Sequence, residues 1–271
     1  YEKEFTPDES LAGKKLLLEF EGVYHNAEVF VGDKKIAFRP YGYTNFYVDL
    51  TPYVQVGKTS RISVIARNAD QPNSRWYSGA GIYRPVTLWT AEEAHILPNG
   101  VRIRTLSVSP AAIEVSVETS APGLVQVEIL DDSNCVCRMA GESKGKLTMV
   151  LEVPKARPWN VDTPNLYTCR VVFGNDRWSE SFGIRTLSWG REGFCINGNR
   201  VILQGACIHH DNGLLGAVCD PDAVERKVRL LKENGYNALR SAHNPCSKAL
   251  LTACDRQGML VMDEYIDHWY I

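Results

Sequence analysis

The chain has 271 residues, with 30 lysines and arginines against 32 acidic residues and a formal charge of −2. That near-balance, without a basic run, argues against a nucleic-acid binder or a protein held to an anionic membrane surface. A hydrophobic share of 44% is ordinary for packed cores, the length suggests two or three domains, and no apolar run approaches the roughly 18 residues of a membrane span.

Two further features bear on compartment. Tyr1-Glu2-Lys3-Glu4-Phe5 is charged and carries no apolar stretch of a signal peptide. The eight cysteines, Cys135, Cys137, Cys169, Cys195, Cys207, Cys219, Cys246 and Cys254, fall at irregular intervals with no Cys-x-x-Cys pair. The expectation is reduced, mostly buried thiols in a cytoplasmic protein.

Residues 1–96 show the period-two alternation of half-buried strands: Leu16, Leu18 and Phe20; Ala27, Val29 and Val31; Phe46, Val48 and Leu50; Ile62, Val64 and Ala66. Gly32-Asp33 and similar polar clusters break the runs, so this segment predicts a β-sandwich. Residues 97–187 repeat the alternation in Ile113-Val115-Val117, Val125-Val127-Ile129, Leu147-Met149-Leu151 and Cys169-Val171-Phe173. Strands at that spacing predict a second, immunoglobulin-like sandwich, without the cysteine–tryptophan–cysteine spacing of antibody domains.

From 188 to 271 the periodicity changes class. Val201-Ile202-Leu203 is a continuous apolar run that predicts a parallel strand buried on both faces. Asp220-Pro221 predicts a capped helix start ahead of Val224, Val228 and Leu231, and Asn234-Gly235 closes it. Ala238-Leu239-Arg240 predicts a second strand, Ser247 caps a second helix, and Leu260-Val261-Met262 predicts a third strand. Strand–helix–strand–helix–strand is a parallel α/β unit. Ionisable and polar groups follow each strand: His209, His210 and Asp211; Arg240, His243 and Asn244; Asp263 and Glu264. In a (β/α)₈ barrel those strand ends form the active-site face.

Sandwich, sandwich and barrel start, with the text Asn197-Gly198-Asn199-Arg200 through His209-His210-Asp211, Asn237-Ala238-Leu239-Arg240-Ser241-Ala242-His243-Asn244-Pro245 and Gly258-Met259-Leu260-Val261-Met262-Asp263-Glu264, resembles glycoside hydrolase family 2, the β-galactosidase and β-glucuronidase group. Gly79-Ala80-Gly81-Ile82-Tyr83-Arg84 and the stretch from Trp159 to Tyr167 match the same family upstream. The resemblance implies a jelly-roll sugar-binding-like sandwich, an immunoglobulin-like sandwich and the first three βα units of a TIM barrel. It implies a retaining exo-β-glycosidase acting on terminal β-linked sugars, with β-D-galactosides favoured by Ser74-Arg75-Trp76-Tyr77 and His209-His210.

As implied by the resemblance, His209 and His243 contact sugar hydroxyls, Arg240 holds nearby carboxylates, Asp211 and Asn244 stand beside them, and Arg75 and Trp76 reach the sugar pocket from the first sandwich. The family's acid/base is the glutamate of an Asn-Glu pair after barrel strand four, and its nucleophile lies near strand seven. The sequence holds no Asn-Glu dipeptide, and Asp263 and Glu264, as strand neighbours, point apart and cannot form the catalytic pair. No catalytic residue is therefore assigned within the chain; both carboxylates are expected beyond Ile271.

The 83 residues from Trp189 to Ile271 are too few for a barrel, and Tyr1 falls well inside the family's usual sandwich. The expectation is a piece of a longer enzyme, inactive alone. The partner implied is a carbohydrate substrate, and the family's habit implies a homo-oligomer. No cofactor is expected: Asp267 and His268 stand where some galactosidases hold magnesium, but they lack a third carboxylate. Alternatives are a non-catalytic carbohydrate-binding sandwich protein, an adhesive tandem-sandwich protein, or a β-glucuronidase or β-mannosidase of the same family.

Overall fold

A computed structural model of the chain describes residues 1–69 and 78–266. Two compact units result, one of residues 1–90, 205–253 and 261–271, the other of residues 91–204 and 254–260.

In the first unit, period-two patterning produces a sandwich. A four-stranded sheet runs in the order Glu2–Phe5, Ser60–Ile65, Ala27–Val31, Lys34–Arg39. A three-stranded sheet runs Phe46–Asp49, Lys15–Phe20, Val86–Ala91. Gly32-Asp33 makes the two-residue turn that pairs Val31 with Lys34. Phe20, Ala27, Val29, Val48, Leu50 and Val64 form the core between the sheets.

One residue departs from the alternation. Glu19 reads as a solvent-facing strand position, yet it is only 1% exposed. Its carboxylate accepts hydrogen bonds from Asn45 Nδ2 at 2.8 Å, Trp89 Nε1 at 2.8 Å and Lys248 Nζ at 2.7 Å. Burial works to raise its pKa; those three donors overcome that and hold it below the ordinary carboxylate value. The local pattern cannot show this, because Lys248 lies 229 residues away.

The second unit is a three-on-four sandwich. One sheet runs Ile96–Val108, Ala111–Thr119, Lys146–Glu152; the other runs Asn134–Ser143, Gly123–Asp131, Tyr167–Phe173, Asp176–Phe182. Ile113, Val115, Val117, Val125, Val127, Ile129, Cys169 and Val171 point inward and are fully buried. Trp159 is also fully buried; its Nε1 donates to Asp255 O at 2.9 Å and the Arg185 guanidinium lies 4.4 Å over its ring. Gly258 ends the helix Lys248–Gln257 at φ +69°, where a β-carbon would stand 2.3 Å from Val161 O. Both the left-handed backbone and the close approach demand glycine there.

The first barrel strand is Gly205–Ile208, not Val201–Leu203. The apolar run instead leaves a hairpin: Gly193–Ile196 pairs with Asn199–Arg200 across Asn197-Gly198, both at positive φ, as an Asn-Gly turn favours. Ile202 is 71% exposed. A short apolar run has no periodicity of its own, so the turn signal three residues upstream was the better guide. Gly205–Ile208 pairs in parallel with Ala238–Ser241, and Leu260–Asp263 lies on the far side of the latter. Helices Pro221–Glu233 and Lys248–Gln257 connect them. Asp220 Oδ1 caps the first from Ala223 N at 2.9 Å, and Ser247 Oγ caps the second from Leu250 N at 3.2 Å.

No helix of the described residues is long and apolar enough to cross a membrane. No cysteine is bridged to another; Cys169, Cys246 and Cys254 are buried. Burial pushes the Cys169 and Cys246 thiols up to about 12.

Candidate functional site

The strand ends gather the polar residues of the first unit into two layers. The outer layer centres on Glu264. Arg240 Nε and Nη2 each reach Glu264 Oε1 at 2.7 Å, and His243 Nδ1 lies 3.3 Å from Glu264 Oε2. Glu264 thereby ties the second strand's arginine to the histidine of the following turn. The hydrogen bond to Glu264 raises the Arg240 pKa further. Arg240 Nη1 also stands 3.6 Å from Cys207 Sγ.

His209 Nδ1 donates to Ala242 O at 2.8 Å, which fixes its tautomer with Nε2 as an acceptor. Its ring stands 5.6 Å from that of His243. Two imidazoles and a guanidinium–carboxylate pair thus share one end of adjacent strands. Such a group can donate to and accept from several hydroxyls at once.

The inner layer is buried and centres on His210. Arg84 Nη1 donates to Tyr43 O at 2.9 Å, and its Nη2 donates to Pro245 O at 2.8 Å and stands 3.3–3.4 Å from the His210 ring nitrogens. His210 Nε2 bonds Asn244 Oδ1. That oxygen can only accept, so the proton sits on Nε2 and Nδ1 faces Arg84 as the acceptor. Tyr43 stacks on His210 with ring centroids 5.5 Å apart, and Tyr83 meets it edge-on at 6.5 Å. A small cavity of about 30 Å³ lies against Arg84, His209, His210 and Ser241.

Burial lowers the His210 pKa to about 4, with Arg84 adding to the effect. The folded state keeps it neutral, whereas the unfolded chain binds its proton near 6.5. The stabilisation is therefore complete above about pH 6.5 and is lost as pH falls from there to about 4, roughly 3 kcal/mol in all. Urea midpoints measured from pH 7 to pH 4.5 should fall, and His210→Gln should flatten that slope. An unchanged slope in the variant would show that other groups cause the loss.

The proposed site residues divide between these layers. His209, Arg240 and His243 come together in the outer layer. Asn244, 1% exposed, belongs to the inner layer through His210. Asp211 is exposed and engages Lys227, which donates to its backbone oxygen and lies 3.3 Å from Oδ1. Asp263 and Glu264 serve different groups, since Asp263 Oδ1 accepts from Cys246 N at 3.0 Å. Arg75 and Trp76 lie outside the described residues, as do Asp267 and His268. Among the described residues no three His, Cys, Asp or Glu side chains gather as a metal set. Sequence reading gave no site role to Arg84 or Tyr43; for Arg84, its place in Gly-Ile-Tyr-Arg was the available signal.

Comparison with known proteins accounts for nearly the whole chain. Residues 1–92 match the sugar binding domain of glycosyl hydrolases family 2, residues 99–185 match the family's central domain model, described as glycosyl hydrolases family 2, and residues 190–267 match its TIM barrel domain. A β-galactosidase of Bacteroides ovatus is 40% identical over 99% of the chain and 34% of its own length. A β-glucuronidase of Bacteroides fragilis is 28% identical over 97% of the chain and 42% of its own. The crystal structure of a glycosyl hydrolase family 2 member from Bacteroides cellulosilyticus superposes with a TM-score of 0.92 at 37% identity, covering 97% of this chain and 39% of that one. The chain spans 34–42% of the length of these relatives. With all three of its segments matched in order, the chain belongs to glycosyl hydrolases family 2.

Proposed function

We propose that the chain supplies the sugar-binding sandwich, the immunoglobulin-like sandwich and the opening barrel strands of a retaining exo-β-glycosidase that hydrolyses terminal β-D-galactosides. The observation that carries this reading is the Arg240–Glu264–His243 array beside His209 at the ends of adjacent barrel strands. In it His209 and His243 bind sugar hydroxyls, and Arg240 holds Glu264 oriented toward His243. Asn244 supports from beneath through His210, Asp211 orders the loop after the first strand through Lys227, and Arg75 and Trp76 are assigned as further sugar-binding residues. The 40% identity to a β-galactosidase, against 34% to a putative β-glucuronidase of Formosa agariphila, supports the galactoside. Retention requires two carboxyl groups about 5–5.5 Å apart, and we place both in the longer protein, because Asp263 and Glu264 serve different groups and do not form a facing pair.

The test is kcat/KM of the full-length gene product on nitrophenyl β-D-galactoside, β-D-glucuronide and β-D-mannoside, with the first-formed anomer identified by proton NMR. The galactoside should lead by about tenfold or more, since a site built for one hydroxyl pattern rejects another strongly. The β-anomer should appear first. A preferred glucuronide would refute the galactoside, and a first-formed α-anomer would refute retention.

A further inference from the structure

We infer that Arg84, contributed by the first sandwich, is a positioning residue for the sugar-binding face, and this rests on the glycosidase reading above. Its geometry differs from that of a surface ion pair. Arg84 is buried, its guanidinium pairs with no carboxylate among the described residues, and it engages three separate segments. Tyr43 O belongs to the sandwich, His210 follows the first barrel strand, and Pro245 O follows the second.

The two barrel segments are those that carry the proposed sugar contacts. His210 is the chain neighbour of His209, and Pro245 lies two residues after His243. Asn244, itself buried and bonded to His210, links the same two segments directly, and Ser241 Oγ closes the turn on Asn244 O at 3.0 Å. Arg84 therefore fixes the spacing of the His209 and His243 rings through their chain neighbours. A planar fork suits this task, because one rigid group reaches two carbonyls and a ring in fixed directions. Lysine carries three donors on a single rotating nitrogen and lacks the fork's fixed directions, so it holds the two loops less well.

The experiment uses the full-length gene product with Arg84→Lys, Arg84→Met, His210→Gln and the Arg84→Met/His210→Gln double variant. Two readouts are taken: hydrogen exchange of segments 208–211 and 241–246, and kcat and KM on nitrophenyl β-D-galactoside. Arg84→Met should speed exchange in both segments and lower kcat/KM by about tenfold to a hundredfold, the scale of a small misplacement of binding groups. Arg84→Lys should fall between wild type and Arg84→Met. The double variant should be no worse than Arg84→Met, because both changes break one network.

Unchanged exchange in both segments would overturn the inference, as would wild-type kcat and KM in a folded Arg84→Met protein whose only change is a lower Tm. If Arg84→Met does not fold, Arg84→Lys decides by the same two readouts. A wild-type product inactive on every glycoside would refute the glycosidase reading instead, and the exchange data would still decide whether Arg84 anchors the two loops.

Discussion

Arg240→Ala and His243→Ala in the full-length gene product should each lower kcat/KM by about 10²–10³ while leaving the far-UV circular dichroism unchanged. The scale is that of removing one aligned donor at a reacting centre. The two residues act through a common carboxylate, since Glu264 bonds Arg240 through one oxygen and faces His243 with the other. Glu264→Gln keeps the shape and removes the charge, so it should reproduce most of the loss. Combining it with Arg240→Ala should add little. The Arg240 side chain is partly exposed, so its removal leaves the core packing intact and the loss reports on the site. Wild-type kinetics in Arg240→Ala or His243→Ala would remove these residues from the site.

The largest loss of stability is expected from Trp159→Ala. The side chain is fully buried, donates to Asp255 O at 2.9 Å and carries Arg185 over its ring. Truncation removes the apolar area, opens a cavity and leaves Asp255 O without this donor, about 3–5 kcal/mol together. Leu124→Ala provides the contrast: Leu124 is 48% exposed on the same sandwich, and its loss should stay within about 0.5 kcal/mol. Urea unfolding of the two variants beside wild type separates them. Equal effects would mean that Trp159 does not hold the core.

The period-two strands of both sandwiches were legible because each buries one face, so Ile113-Val115-Val117 and Val125-Val127-Ile129 appear in the sequence as they pack. The helix caps at Asp220 and Ser247 were legible because capping is local. Glu19 was not: its burial depends on Lys248, from a distant helix. Nor was the run Val201-Ile202-Leu203, where three apolar residues carry no period to separate strand from hairpin exit. In the candidate site, the order of polar residues along the barrel strands pointed to His209, Arg240 and His243, which the fold brings together. The inner layer stayed hidden because Arg84 meets His210 across 126 residues, a pairing that no local spacing encodes.

The central proposal is that this chain carries sugar-binding groups of a β-glycosidase whose catalytic carboxylates lie in the remainder of a longer protein. The most direct measurement compares hydrolysis of nitrophenyl β-D-galactoside by residues 1–271 and by the full-length gene product, each purified free of host glycosidase. The full-length protein should turn the substrate over. The 271-residue chain should show none above the uncatalysed rate, because Asp263 and Glu264 bond different groups and do not make a catalytic pair with one another. Turnover by residues 1–271 within about a hundredfold of the full-length protein would contradict the account, since loss of either catalytic carboxylate costs far more than that.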